Sequence, residues 1–403
     1  MWALAAILLF LQSPDYSAEG MKALDAGKYE DAAALFAKAA AADPKDYSAH
    51  FNLALAYSML KRDTDGVAEY KKTLELKPGL YAAELNLGIL LLRDKEPLGA
   101  AQNLQAAADQ KPTEFRPRLY LAQALLDSAD PAKAEQQFHA ALELDPKSAA
   151  AELGLAHALA KQDRLAEAAP HFRAAAQLDP TYRDDLLELA SLYEKNHQAD
   201  EAVAIYREFP ENAAAQEHAG HLLLENKRPA DAIAPLEAAI EKDPTPANRL
   251  ALASAYLFQK QTEKALPLLD QCVAAEPDNY DLRMMYGRGL RDAKKFDPAA
   301  QQFFHATKLK PDSREAWNEL AGMLYMLEKY TESLSALDRA HQLGDDTPAN
   351  YYFHAITYDK LHVIEPALDY YRQFLARSKG EFPDEEWKAR QRAKLLEREL
   401  SKR

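Results

Sequence analysis

Four side chains of metal-binding type fall within one short stretch: Glu217, His218, His221 and Glu225. On a helix, His218 and His221 share a face and Glu225 lies one turn further on, so two imidazoles and a carboxylate could meet a divalent ion. A resident metal needs a complete ligand set, and these are side chains of a surface helix with nothing to fix them. No metal site and no cofactor are assigned. The single cysteine, Cys272, excludes an intramolecular disulfide framework and a cysteine-rich zinc site. No phosphate-cradling G-x-x-x-x-G-K-[ST], no nucleophile elbow G-x-S-x-G and no H-E-x-x-H occurs. No catalytic residue is assigned either, and the expectation is a protein that is not an enzyme.

The elements that carry these residues follow from composition and period. The chain of 403 residues is 48% hydrophobic, has only 13 glycines and carries a net charge of −14. Few glycines and abundant alanine and leucine favour helix over turn-rich sheet. The absence of a dense Lys/Arg run argues against a nucleic-acid partner, which needs positive charge to neutralise phosphates. At the start, Trp2 to Leu11 is an uninterrupted apolar run of ten residues. It is too short to cross a bilayer as a helix and about the length of a signal-peptide core. No Lys or Arg precedes Lys22 and no clean A-x-A site follows. The expectation is an exported chain, periplasmic or extracytoplasmic. The alternative is a cytoplasmic chain in which the run forms an extra packing helix. No later segment is long enough to span a membrane, so none is expected in the mature chain.

The rest of the chain is periodic. Pro44, Pro78, Pro112, Pro146 and Pro180 stand 34 residues apart, and Pro244, Pro277 and Pro311 continue at intervals of 33 and 34. A fixed interval in this range marks a repeat array. Twenty-four residues before these anchors only small residues occur, among them Gly20, Ala54, Gly88, Ala122, Ala156, Gly220 and Gly287. Eight residues before stand large apolar ones, among them Phe36, Tyr70, Leu104, Phe138, Phe172 and Phe303. Two further units keep these columns without the proline, at Ala190 and Tyr206 and at Ala355 and Tyr371. Each unit reads as two antiparallel helices with a small residue where they cross, a large one filling the space beside it, and a proline that ends the second helix. No such pair can bury both faces alone, so neighbours must stack.

The columns W-x-x-L-G-x-x-Y, A-x-x-x-F and P at 34 residues resemble the tetratricopeptide repeat, most closely at Trp317 to Leu324 and in the stretch from Glu19 to Pro44. The resemblance covers about Pro14 to Arg377. It implies an all-α fold: a right-handed α-solenoid of about eleven helix-turn-helix units. Pro383 opens a final segment with an apolar stripe of Ala389, Ala393, Leu396 and Leu400, expected to be a capping helix. The expected divisions are 1–12, the apolar segment; 13–210, units one to six; 211–380, units seven to eleven; and 381–403, the cap. The period breaks at Pro210, thirty residues after Pro180, where about one helical turn is missing. The break is either a tolerated deletion or a hinge.

In the resembled family the first helices of successive units line a concave groove that holds extended peptides. Carried over position by position, the groove residues are Phe51, Asn52, Asn86, Tyr120, Gln123, His157, His218, His221, Met284, Arg288 and Tyr352. Asn52 and Asn86 match two steps of the asparagine ladder with which some members grip peptide backbone, and the ladder does not continue. Phe51 and Leu55 replace the residues with which other members clamp a chaperone's C-terminal carboxylate, which argues against such tails as partners. The function expected is a non-enzymatic scaffold that binds a protein or peptide, neutral or basic given the charge. Alternatives are an accessory subunit of a bacterial envelope assembly or secretion complex, and a metal-binding or enzyme-regulatory protein.

Overall fold

In the computed structural model residues 15–402 are described, so the apolar segment 1–12 lies outside them. Among the described residues there are twenty-three α-helices and no strand. Two compact units divide between Asn196 and His197, in the turn of the sixth helix pair and upstream of Pro210.

The first unit holds five pairs: α1 (Tyr16–Asp25) and α2 (Tyr29–Ala42), α3 (Tyr47–Met59) and α4 (Asp63–Leu76), α5 (Tyr81–Arg93) and α6 (Pro97–Gln110), α7 (Phe115–Asp127) and α8 (Pro131–Leu144), α9 (Ala149–Ala160) and α10 (Leu165–Leu178). A 3-10 turn at Pro180–Tyr182 then leads to α11 (Asp185–Lys195). The second unit begins with α12 (Ala199–Tyr206) and continues with α13 (Ala213–Glu225) and α14 (Pro229–Lys242), α15 (Pro246–Phe258) and α16 (Thr262–Ala275), α17 (Tyr280–Asp292) and α18 (Phe296–Leu309), α19 (Arg314–Met326) and α20 (Tyr330–Gln342), α21 (Pro348–Lys360) and α22 (Ile364–Ser378). Helix α23 (Pro383–Leu400) closes it, with Ala389, Ala393 and Leu396 buried and Leu400 packed beside them. Arg392 fixes this cap to α21 through a two-pronged bond to Asp359, at 2.7 and 2.8 Å.

Local chemistry starts most first helices. Asp15, Asp46, Ser148, Asn212, Thr245, Asn279, Ser313 and Thr347 each accept a backbone N–H of the first turn. Between the two helices of each pair one residue adopts a left-handed conformation. Gly27 serves in the first pair, but Lys61, Lys95, Ala129, Asp163, His197, Lys227, Lys260, Lys294, Glu328 and His362 serve in the others. Nothing in the side chains at these positions betrays the requirement, which is set by the tightness of the turn.

The small and large columns meet as the sequence predicts. A Cβ placed on Gly88 would lie 2.4 Å from Leu104, one on Gly220 2.4 Å from Leu236, and one on Gly287 2.6 Å from Phe303. The large partners in this column, from Phe36 to Leu337, are all fully buried. First helices also pack on the next first helix, α1 on α3, α5 on α7 and α7 on α9, and in the second unit α13 on α15. Among the described residues no two second helices approach so closely. The first helices are therefore the crowded inner edge of each stack.

The short unit departs from expectation in degree. Helix α12 has 8 residues where α10 and α14 have 14, a loss of more than the one turn inferred from the proline spacing. Part of the missing length returns as the irregular segment 207–212. Buried Gln216 holds it, donating its amide N–H to the carbonyls of Tyr206 at 2.9 Å and Phe209 at 3.1 Å.

Candidate partner-binding face

In the first unit, the candidate residues come from α3, α5, α7 and α9. Phe51 is half-buried with its ring edge-on to Tyr70, centroids 5.5 Å apart. Asn86 donates to the Tyr70 hydroxyl at 3.1 Å. Burial pushes that phenol up to about 12, against the pull of the Asn86 bond. Phe51 and Asn86 thus brace one buried tyrosine, while Asn52, half-exposed beside them, has no hydrogen-bonding partner among the described residues. Of the two ladder positions only Asn52 keeps its whole amide free. Tyr120 is half-exposed, with the Arg116 guanidinium 6.0 Å from its ring. Gln123 is turned along its own helix to Asp127, at 2.8 Å.

His157 of α9 packs edge-on against Phe172 at 5.2 Å and points its Nε2 toward Glu188 of α11, 3.4 Å away. With Asp185 they form a group whose ligand-type atoms all lie within 4.8 Å of one another, the one such group among the described residues. Burial pushes the Asp185 carboxyl up; the neighbouring His157 opposes this and Glu188 adds to it. No single stretch of sequence shows this group, because His157 lies on α9 while Asp185 and Glu188 lie on α11, at least 28 positions further on. Gly154, which continues the 34-residue series of Asn52, Asn86 and Tyr120, is instead pressed against Phe138, where a Cβ would lie 2.2 Å from the ring.

In the second unit the stretch Glu217–Glu225 does not gather a ligand set. Glu217 accepts from Asn248 at 3.2 Å, His218 is exposed and stacked on Tyr206 at 5.5 Å, and His221 is half-buried. Met284 is 3% exposed and belongs to the core built from α16 to α20, reaching the surface only as part of the lining of a cavity it shares with Met285. Its neighbour Met285 is half-exposed and lines a cavity of about 680 Å³ with Tyr280, Leu257 and Arg288. Arg288 is held there by Glu315 and, at 3.2 Å, by Glu319, which Arg291 also grips at 2.7 and 2.8 Å. Arg288 is thus already engaged by two carboxylates of α19. Tyr352 packs against Phe374 with the rings tilted by 50° and their centroids 4.9 Å apart, and burial raises its phenol.

Cys272 is buried, its thiol 3.7 Å from the Pro246 carbonyl and pushed up by burial. It fills a position taken by alanine in other units, as a small apolar residue would.

Models of the tetratricopeptide repeat match residues 17–81, 119–183 and 187–246, and a second such model matches 256–324. The chain belongs to the tetratricopeptide repeat family. Among solved structures it is similar to MamA, 24% identical over 41% of this chain and 95% of that one, with a TM-score of 0.39. It is also similar to YrrB, described as a TPR protein with an unusual peptide-binding site, at 21% identity over 41% of this chain and 85% of that one, TM-score 0.40. Human protein O-mannosyl-transferase TMTC1 is 28% identical over 100 residues, 24% of this chain and 11% of that protein. This chain thus spans about a tenth of that relative's length. Among the described residues no helix is long and apolar enough to cross a membrane.

Proposed function

We propose that the chain is a non-enzymatic scaffold whose first helices bind an extended segment of a protein partner. The observation that carries this reading is the contrast between two surfaces of the same helices. Where first and second helices cross, residue class is uniform and the fit is tight, as at Gly88 and Gly287. On the inner edge the sequence runs through Asn52, Tyr120, His157, Met285, Arg288 and Tyr352, which packing alone does not require to differ. Aromatic and arginine side chains are the types that anchor partners, and a few such anchors carry most of the energy of an interface. The net charge of −14 favours a neutral or basic partner, with association that slows as salt screens the attraction. Export, from the apolar run at the N-terminus, would place such a scaffold outside the cytoplasm and is part of this proposal.

The test is a double substitution, Tyr120→Ala with Arg288→Ala, against Gln136→Ala with Lys308→Ala on exposed second-helix positions. Both proteins should melt alike, and only the first should lose the partners recovered from native extract. Loss with the second pair instead would move the binding surface to the outer helices.

A further inference from the structure

Between the N-terminal ends of α19, α21 and α23 lies a cavity of about 450 Å³. Tyr352, Phe374 and Phe382 wall it, with centroids 4.9 Å apart between Tyr352 and Phe374 and 6.4 Å between Phe374 and Phe382. Asp345 and Glu385 supply carboxylates, and no Lys or Arg is among its lining residues. Asp345 is 5% exposed and accepts bonds from Asn318 and, at 2.7 Å, from Thr347.

Asn350 also lines the cavity. It is 3% exposed, and neither its amide nitrogen nor its amide oxygen has a partner among the described residues. The chain contains its own control. The sequence Thr-Pro-Ala-Asn opens both α15, as Thr245–Asn248, and α21, as Thr347–Asn350. In α15 the Asn248 amide nitrogen donates to Glu217 at 3.2 Å and to the Asp243 carbonyl at 3.3 Å, and only its amide oxygen is without a partner among the described residues. The position matching Glu217 before α21 is Asn318, and its amide is turned to Asp345. A buried polar group left unpaired costs stability and is rare in a folded protein. Here it faces a cavity with aromatic walls and two carboxylates, Glu385 and Asp345, the second of which also feels the nearby Arg314.

We propose that this cavity takes the guanidinium of an arginine in the partner segment. A guanidinium is flat, stacks on aromatic faces, and offers a fork of N–H donors. Asp345, Glu385 and the Asn350 carbonyl oxygen accept those donors, and the Asn350 amide nitrogen donates to the partner's backbone carbonyl. The proposal rests on the first helices being the partner-binding edge, and it names the side chain they select at the C-terminal end.

The full chain is titrated with acetyl-Gly-Arg-Gly-amide and followed by saturation-transfer NMR. The controls are the same peptide with citrulline, which keeps the shape and lacks the charge, and one with glutamate. The arginine peptide should bind at least tenfold more tightly than either. Glu385→Gln should weaken it several-fold. Asn350→Leu should weaken it about tenfold and leave the melting temperature unchanged or higher, whereas Asn248→Leu should lower the melting temperature and leave binding intact. Equal binding of the citrulline peptide, preference for glutamate, or an Asn350→Leu protein that binds normally would each overturn the proposal. So would an Asn350→Leu protein as destabilised as Asn248→Leu. The readout is direct binding of a probe, so it stands apart from recovery of partners. Partners lost in Tyr120→Ala/Arg288→Ala with arginine binding intact would fault this site alone if Asn350→Leu retained all partners.

Discussion

Two helical glycines should respond to the same substitution with opposite signs. At Gly88 in α5, the Cβ of Gly88→Ala would lie 2.4 Å from Cγ and 2.8 Å from Cδ2 of Leu104. The nearer atom is the branch carbon of a fully buried side chain, not a free end that can swing aside. Reaching ordinary contact needs a shift of about an ångström between α5 and α6, and overpacking of this kind costs about 1–3 kcal/mol. Alanine regains about 1 kcal/mol of helix propensity over glycine. With the clash this severe, the net loss should be about 1–2 kcal/mol. At Gly322 in α19, nothing lies within 4 Å of the added Cβ. There Gly322→Ala should gain about 0.5–1 kcal/mol, from propensity alone. The two variants should therefore differ by about 2–3 kcal/mol. Urea unfolding followed by far-ultraviolet circular dichroism reads the difference. Hydrogen exchange locates it, because in a repeat array each perturbation stays near its own pair. If Gly88→Ala is as stabilising as Gly322→Ala, the small residues of the repeat are not set by the crossing of helices.

Gln216→Leu should cost about 1–3 kcal/mol, the sum of two lost bonds, since the carbonyls of Tyr206 and Phe209 each keep a backbone N–H donor and are not left bare. Faster hydrogen exchange confined to α12 and the start of α13 would confirm it; unchanged protection there would refute it. His354 is fully buried, stacked on Tyr370 at 4.6 Å, and burial holds its imidazole below the ordinary value, although its two ring nitrogens lie 3.0 Å from the Asn350 carbonyl and 3.2 Å from Asp338, only one of which a neutral ring can donate to. A histidine kept neutral in the folded state gives stability that is full above its unfolded pKa of about 6.5 and is lost as pH falls below it. Melting of the wild type should therefore decline more steeply between pH values of about 7 and 5.5 than that of His354→Phe; equal slopes would count against this.

Much of the architecture was legible because it is a matter of spacing. A small residue and a large apolar one sixteen positions apart, repeated with a proline, leave a pair of crossed helices as the economical packing, and Gly88 with Leu104 or Gly287 with Phe303 meet as that rule requires. The cap was legible for the same reason, since Ala389, Ala393 and Leu396 recur at helical spacing. The inner edge was legible only as a set of columns. Met284 and Gly154 fall in those columns and are buried, because whether a column position faces outward depends on how neighbouring pairs approach.

What each polar side chain does was decided by tertiary structure alone. Asn86 braces Tyr70, Arg288 is taken by two glutamates, and His157 meets Asp185 and Glu188 across two helices, none of which shows in a single helix's sequence. Asn248 and Asn350 stand in identical four-residue contexts, yet the amide nitrogen of one is paired and that of the other is not. Local sequence sets backbone and period, because these depend on neighbours along the chain. The partner of a polar group depends on what the preceding repeat presents to it, here Glu217 in one place and Asn318 in the other.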